Sequence, residues 1–351
     1  MTVEFKDVSK VFDDGTLAID RLNLSFELGE FIVLLGPSGS GKTTACRILA
    51  GLEVPSGGRV YVDGRDITDL PPRDRGMSMV FQNYALYAHR TVYQNIAYPL
   101  RVRGTDKSKI DALVRATAKM LDIERLLDRR PRQLSGGEAQ RVAVARALVW
   151  QPKICLMDEP LSNLDALLRL QTRTELKRLH NELRTTFVFV THDQEEAMTL
   201  GTRIAVLNHG RIVQFDTPRR IYRNPATRFV AEFIGRPAMN TIEGEVHDGV
   251  FHAGEIRIAV EGQPDGPVVL GVRPEQLALD KPGATAGVPF TADVVEHVEP
   301  DTLIFLKNGD VSLVLRALYD VEGIEAGDQV RVRFAPETLR FFDLETGDRR
   351  P

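Results

Sequence analysis

Cysteine and long apolar runs are scarce in this 351-residue sequence, and each scarcity excludes a class of protein. The two cysteines, Cys46 and Cys155, cannot build a disulfide framework and stand in no metal-ligand spacing. Each lies in an apolar segment and reads as a small buried hydrophobe. The longest apolar runs, such as Phe31–Leu35 and Phe187–Val190, fall far short of the ~18–20 residues that cross a membrane. The opening residues, Met1 to Lys6, lack the basic and apolar regions of a signal peptide, so the chain is expected to stay in the cytosol. Seven scattered histidines form no His-x-x-x-His pair, which argues against zinc. Net charge is only −4, so no basic field calls for nucleic acid, and none is expected as a partner.

What is present fits a globular protein of two domains, with 43% apolar and 27% charged residues. Up to about residue 235, short apolar runs alternate with amphipathic stretches. Strands are predicted at Phe31–Leu35, Met77–Phe81, Ile154–Met157, Phe187–Thr191 and Ile204–Leu207. Helices are predicted near Thr43–Ala50, Lys107–Leu121, Glu138–Trp150, Ala166–Leu183 and Gln194–Leu200. Strands separated by helices imply an α/β fold with a mostly parallel sheet. Val3–Phe5, Leu22–Phe26 and Val60–Val62 alternate as antiparallel strands, an added small sheet. From residue 236 the texture changes to short alternating runs (Ile256–Val260, Val268–Val272, Val311–Leu315, Val330–Phe334) split by Gly, Pro and Asp. That predicts a second, all-β domain over 236–351, a small barrel.

Gly36-Pro37-Ser38-Gly39-Ser40-Gly41-Lys42-Thr43 fits the phosphate-loop pattern G-x-x-x-x-G-K-[ST], in the strand-then-helix context that gives it meaning. Its glycines let backbone N–H groups turn inward around phosphate oxygens, and the helix N-terminus adds a favourable dipole. Lys42 would reach the β- and γ-phosphates, and the Thr43 hydroxyl would ligate Mg²⁺. The strand Ile154–Met157 runs into Asp158 and Glu159, the first suited to hold Mg²⁺ and the second to polarise water; an ordinary acidic strand end is the alternative. Leu134-Ser135-Gly136-Gly137-Glu138 opens a further helix. Ser135 and Glu138 stand at capping-box spacing, which needs no ligand, yet two glycines at a helix N-terminus also expose an anion site.

The Leu134–Glu138 run, between a phosphate loop and an acidic strand end, resembles the signature of ATP-binding-cassette ATPases. Other matches follow in the family's order: Gln82 after Met79-Val80-Phe81 resembles the Q-loop residue, Ser162-Asn163-Leu164-Asp165 the D-loop at the subunit interface, and His192 the switch histidine. Phe12 stands where the family stacks an aromatic on adenine. The resemblance implies a P-loop cassette with a helical subdomain at about 83–150. It also implies ATP contacts that extend to Thr44, and Mg²⁺ held through Thr43, Gln82 and Asp158. Catalysis would fall to Glu159, His192 and Lys42. It implies a head-to-tail homodimer in which the signature of one subunit binds the ATP on the other's phosphate loop.

Phe233-Ile234-Gly235-Arg236-Pro237-Ala238-Met239-Asn240 and Gly271-Val272-Arg273-Pro274-Glu275 resemble the junction and a barrel strand of the TOBE-like regulatory domain of sugar-importer ATPases. The implied partners are two membrane permeases, with an extracytoplasmic solute-binding protein acting indirectly, and the implied place is the cytoplasmic face of the inner membrane. A sugar, polyol or sugar phosphate is the favoured solute, with iron, sulfate, molybdate and polyamine importers, or a soluble cassette ATPase, as alternatives. The segment after Gln82 is either a helical-subdomain core or a permease-docking groove. Importers of this type commonly carry Pro before the histidine there and Met after it; this chain has Ala88 and Arg90 around His89.

Overall fold

In the computed structural model, which describes residues 2–280, 287–318 and 323–350, the chain divides into two units between Arg219 and Arg220. The strands of the first unit are β1 (Thr2–Val11), β2 (Leu17–Glu27), β3 (Phe31–Leu35), β4 (Gly57–Val62) and β5 (Arg65–Asp66). They continue with β6 (Met77–Val80), β7 (Ile154–Asp158), β8 (Thr186–Thr191), β9 (Arg203–Asn208) and β10 (Arg211–Asp216). Its helices are α1 (Lys42–Ala50), α2 (Val92–Val102), α3 (Lys107–Met120), α4 (Gly136–Leu148), α5 (Ala166–Leu183) and α6 (Gln194–Leu200).

Strands β3 and β8 are buried at every position and β7 at all but its last, the mark of a parallel sheet covered on both faces. They form the centre of a sheet ordered β10-β9-β3-β8-β7-β6, parallel except for β10. The smaller antiparallel sheet, β2-β1-β4-β5, lies over α1. Leu24 and Phe26 of β2, Ile48 and Leu49 of α1, and Ile32 and Val188 of the large sheet share one core. The opposite face carries Phe31, Phe187 and Phe189, with the His180 ring of α5 edge-on to Phe31 at 5.4 Å.

Helix α2 was not among the predicted elements. It holds Pro99, which usually ends a helix, but its start is written in the sequence: Thr91 and Gln94 form a complete capping box. With α3 and α4 it makes the helical subdomain.

In the second unit, α7 (Pro218–Arg223, straddling the division) and α8 (Arg228–Phe233) precede the strands. These are β11 (Asn240–His247), β12 (Val250–Ala253), β13 (Ile256–Ala259), β14 (Gly266–Val272), β15 (Leu277–Leu279), β16 (Val288–Val298), β17 (Asp301–Asn308), β18 (Val311–Leu318), β19 (Gln329–Phe334) and β20 (Arg340–Phe342). Two antiparallel sheets, β13-β12-β11-β14-β20 and β15-β19-β16-β17-β18, close on one apolar core as an OB-like near-barrel. The Asn240 side chain bridges them, donating to the Val314 carbonyl at 2.8 Å and accepting from its N–H at 2.7 Å. Residues 220–235, read from texture as part of the cassette, group by contacts with the barrel. Arg273 is the reason: its guanidinium donates to the carbonyls of Tyr222, Ala231 and Ile234 and lies over the Tyr222 ring.

The first unit has its own version of this clamp. Buried Arg75 donates to the carbonyls of Ile48 (2.7 Å), Leu49 (3.0 Å), Thr68 (2.7 Å) and Leu70 (2.8 Å), closing the C-terminal end of α1. Arg75→Leu strands those acceptors, and we expect a loss of roughly 2–5 kcal/mol, read as a lower urea midpoint for the first unit. Arg75→Lys should recover little, because one ammonium cannot fork to carbonyls in several directions; a wild-type midpoint in either variant would refute the clamp's importance.

Candidate functional site

The loop Gly36–Gly41 joins the buried end of β3 to α1, and backbone crowding dictates its glycines. A Cβ on Gly36 would fall 2.3 Å from the Leu207 carbonyl oxygen. Gly41 has φ +97°, and a Cβ there would lie 2.4 Å from the Ala18 carbonyl oxygen. Lys42 is buried and folds its ammonium back onto the loop, donating to the carbonyls of Gly36 (2.9 Å) and Pro37 (2.8 Å), with the buried Ser40 hydroxyl at 3.5 Å. Burial pushes its pKa down, opposed by the charges of Glu159 and Asp158. Gly41 caps α1 without a side chain, so the first N–H groups of the helix are left for an anion.

Across the loop, Thr43 donates its hydroxyl proton to Asp158 at 2.8 Å. Burial holds the Asp158 carboxyl above its ordinary pKa; the Thr43 bond pulls it down and the neighbouring Glu159 charge adds to the rise. Glu159 departs from its strand at φ 44°, a left-handed value rare outside glycine, while its N–H still bonds the Val190 carbonyl at 3.1 Å. The His192 Nδ1 lies 3.4 Å from Glu159 Oε1. Lys42, Thr43, Thr44, Glu159 and His192 line one pocket of about 600 Å³ with Phe12, Leu17, Ser38, Gly39 and Gly41. Phe12 is exposed, and the Lys10 ammonium stands 5.1 Å from its ring. Leu17 and its neighbours Thr16 and Ala18 were not foreseen; their signal is position, in and just after the turn that follows Phe12.

Gln82 lies outside this pocket. Its amide donates to Ser162 at 3.4 Å, and Asn163 donates to its carbonyl at 3.1 Å, so the Gln82 and Ser162–Asp165 loops are tied together. Ser162 in turn donates to the Glu159 carbonyl at 2.9 Å, and Asp165 caps α5. The Leu134–Glu138 run does not line the pocket either. Ser135 and Glu138 form the capping box of α4, and Glu138 also pairs with Arg125 at 3.0 Å. Gly136 and Gly137 are pressed on the D-loop side: added Cβ atoms would lie 3.5 Å from Leu164 and 2.7 Å from Leu168.

A second cavity, a groove of about 710 Å³, lies where the helical subdomain meets β6, lined by Met79, Phe81, Tyr87, Tyr98 and Trp150. Beside it the Arg90 guanidinium stacks 4.9 Å from the Tyr87 ring and 4.5 Å from that of Tyr98, and Arg103 lies 3.4 Å over Trp150.

The family model described as ABC transporter matches residues 19–162; those described as CysA C-terminal regulatory domain and TOBE domain match 240–279 and 270–342. The chain is 44% identical to the sn-glycerol-3-phosphate import ATP-binding protein UgpC of Salmonella choleraesuis over 99% of each sequence. Its identity to UgpC of Escherichia coli K12 is 45% over the same shares. Among solved structures, cbiO1 from Clostridium perfringens aligns with a TM-score of 0.58 at 27% identity, covering 62% of this chain and 89% of that one. The bacterial ABC transporter cassette MJ0796 aligns as a dimer (TM-score 0.56, 33% identity) and in a post-hydrolysis state bound to ADP and Pi (TM-score 0.55, 34% identity). Each covers 62% of this chain and 99% of that one.

The raised Asp158 pKa carries a sign. A carboxyl whose pKa rises on folding favours the fold only while protonated, so its ionisation at neutral pH subtracts from stability. Asp158→Asn keeps an acceptor for Thr43 and removes the charge. It should raise the melting temperature of the nucleotide-free protein at pH 7, with the gain fading as pH falls through the raised Asp158 value and gone below the ordinary carboxylate range. A lower melting temperature at pH 7 would contradict this reading of the site.

Proposed function

Because the chain belongs to the ATP-binding-cassette transporter family, we propose that it is the ATPase subunit of an importer, hydrolysing Mg-ATP between two head-to-tail copies of itself to drive uptake of a phosphorylated polyol or related sugar. The observation that carries this reading is the convergence of Thr43 with Asp158 and of Glu159 with His192 at the mouth of the phosphate loop. The solute class follows from the printed names of the full-length relatives, sn-glycerol-3-phosphate import proteins.

Phosphoryl transfer to water is mostly positioning and charge neutralisation. Lys42 and the first amides of α1 would hold the β- and γ-phosphates, and Phe12 would stack on the adenine. Glu159 would take a proton from the attacking water as the water oxygen bonds the γ-phosphorus, while the bond from that phosphorus to the ADP oxygen breaks and ADP leaves with its electron pair. His192 would hold the transferred group from the other side. The Thr43 hydroxyl and the Asp158 carboxylate, two adjacent hard oxygens at a part-buried edge, fit Mg²⁺, which takes few protein ligands beside phosphates and water. When bound, that ion would neutralise phosphate charge. Gln82 would join the set through its side-chain oxygen, which the donation from its Nε2 to Ser162 does not use.

Ser135 and the Gly136 and Gly137 amides would close over the γ-phosphate held by the partner copy. The aromatic groove beside Gln82 would seat a permease helix, with Arg90 in place of the usual methionine. No helix among the described residues is long and apolar enough to cross a membrane. Two membrane-embedded permeases, served from outside by a solute-binding protein, would hold the subunit at the cytoplasmic face.

Glu159→Gln should lower turnover by about 10²–10⁴ while keeping ATP binding, and Lys42→Ala should lose nucleotide affinity in calorimetry. Near wild-type turnover in the first, or unchanged affinity in the second, would refute the site. Affinity purification from native membranes in mild detergent tests the importer. Two polytopic permeases are expected, and recovery of cytosolic partners alone would point to a soluble cassette ATPase.

A further inference from the structure

Arg169, in the first turn of α5, belongs to no recognised motif, yet it bridges the loop Ser162–Asp165 and the loop carrying His192. One guanidinium nitrogen donates to the Leu164 carbonyl at 3.1 Å. The other lies 3.5 Å from Asp193 Oδ2, and Nε stands 3.9 Å from Glu196 Oε1. Its Nε is buried without a hydrogen-bond partner, so the side chain is held by its ends.

Both residues flanking His192 are fixed in the same network. Asp193 caps α6, accepting from the N–H groups of Glu195 at 2.8 Å and Glu196 at 3.4 Å, and donates its own N–H to the Thr191 hydroxyl at 2.9 Å. Thr191 donates to the buried Glu196 carboxylate at 2.5 Å. With Thr191 and Asp193 locked, His192 is left to face Glu159. On the other side of Arg169, Leu164 and Leu168 are the side chains pressed against Gly136 and Gly137 at the start of α4.

We propose that Arg169 is a positioning residue that sets His192 against Glu159 according to the placement of the Ser162–Asp165 loop, tying the signature end of a subunit to that subunit's own hydrolytic site. The proposal rests on the reading that Glu159 and His192 act on ATP. In a head-to-tail dimer the signature end faces one nucleotide and His192 the other. The first turn of α5 is then a mechanical link between two ATP sites, with Arg169 its polar half and Leu164 and Leu168 its apolar half.

A double-mutant cycle on the full-length chain tests this: Arg169→Gln, His192→Ala and the pair, assayed by steady-state and single-turnover ATP hydrolysis, with nucleotide-binding stoichiometry as the measure of folded protein. Arg169→Gln should lower kcat on the order of 10- to 100-fold, the scale of misplacing a reacting group by about an ångström. KM should stay within about twofold of wild type, because ground-state binding is untouched. On top of His192→Ala it should cost less than about threefold more, since a residue acting through His192 has little left to lose. Arg169→Lys, which keeps a charge toward Asp193 but not the fork to Leu164, should fall between. Wild-type kcat in Arg169→Gln, or a full multiplicative loss in the double variant, would overturn the proposal. If Arg169→Gln binds nucleotide below stoichiometry, Arg169→Lys carries the same cycle and the same overturning outcomes. Wild-type turnover in His192→Ala alone would instead overturn the underlying reading of the site.

Discussion

The chemistry of the cassette depends on one register. Leu35 sits beside Thr191 and Asp158 beside Val190 across three neighbouring parallel strands. Parallel strands point the same way, so these three end along one edge of the sheet. The residues that follow, Gly36, Glu159 and His192, therefore all leave from that edge, where open α/β sheets bind ligands. A one-residue slip would turn every side chain of the displaced strand to the opposite face and carry Asp158 away from Thr43. Apolar side chains on both faces, from Ile32 to Phe189, make that slip costly without any polar contact to prevent it.

That edge is one of the places where buried charge enters the fold. Lys42 and Asp158 are pushed in opposite directions by the same cause, burial, and each is partly held in its charged form by the other. Neither pairs directly: Lys42 spends its protons on loop carbonyls, and Asp158 accepts from a neutral hydroxyl. Lys42 is suited to an anion and Asp158 to a cation, and a magnesium nucleotide carries both counter-charges. Strain at Glu159 has the same logic, since φ 44° lets its side chain join the loop residues and His192 while its backbone keeps the strand pairing. Functional sites hold such unrelieved terms because the relief is the binding energy.

Much of this was legible in the sequence because it is local. A phosphate loop is one continuous string, and buried parallel strands announce themselves as unbroken apolar runs. Helix α2 escaped because Pro99 masks it, although Thr91 and Gln94 mark its start. The hairpin of β16 and β17 escaped because its pattern is mixed: Asp293, Glu296 and Lys307 are exposed among apolar neighbours, and Asp293 and Lys307 pair at 2.9 Å. The clamps of Arg75 and Arg273 could not be read at all. Their partners are backbone carbonyls, which every residue has, so nothing in the identity of Ile48 or Ala231 advertises the contact. The division of the chain moved from Gly235 to Arg219 for the same reason.

The Leu134–Glu138 run shows why an ordinary structural explanation need not compete with a functional one. In the capping box the Ser135 hydroxyl oxygen accepts from the Glu138 N–H at 3.3 Å, which uses a lone pair and leaves the hydroxyl proton unspent. Glu138 reaches back to the Ser135 N–H at 3.0 Å and is itself anchored by Arg125. The box satisfies the third amide of α4 and leaves those of Gly136 and Gly137 without an intrahelical acceptor. Capping thus fixes the serine oxygen at the helix N-terminus while a proton and two amides stay available to an anion. The features that make a stable helix start are those a phosphate would need, and Gly137 allows no side chain over them without displacing Leu168.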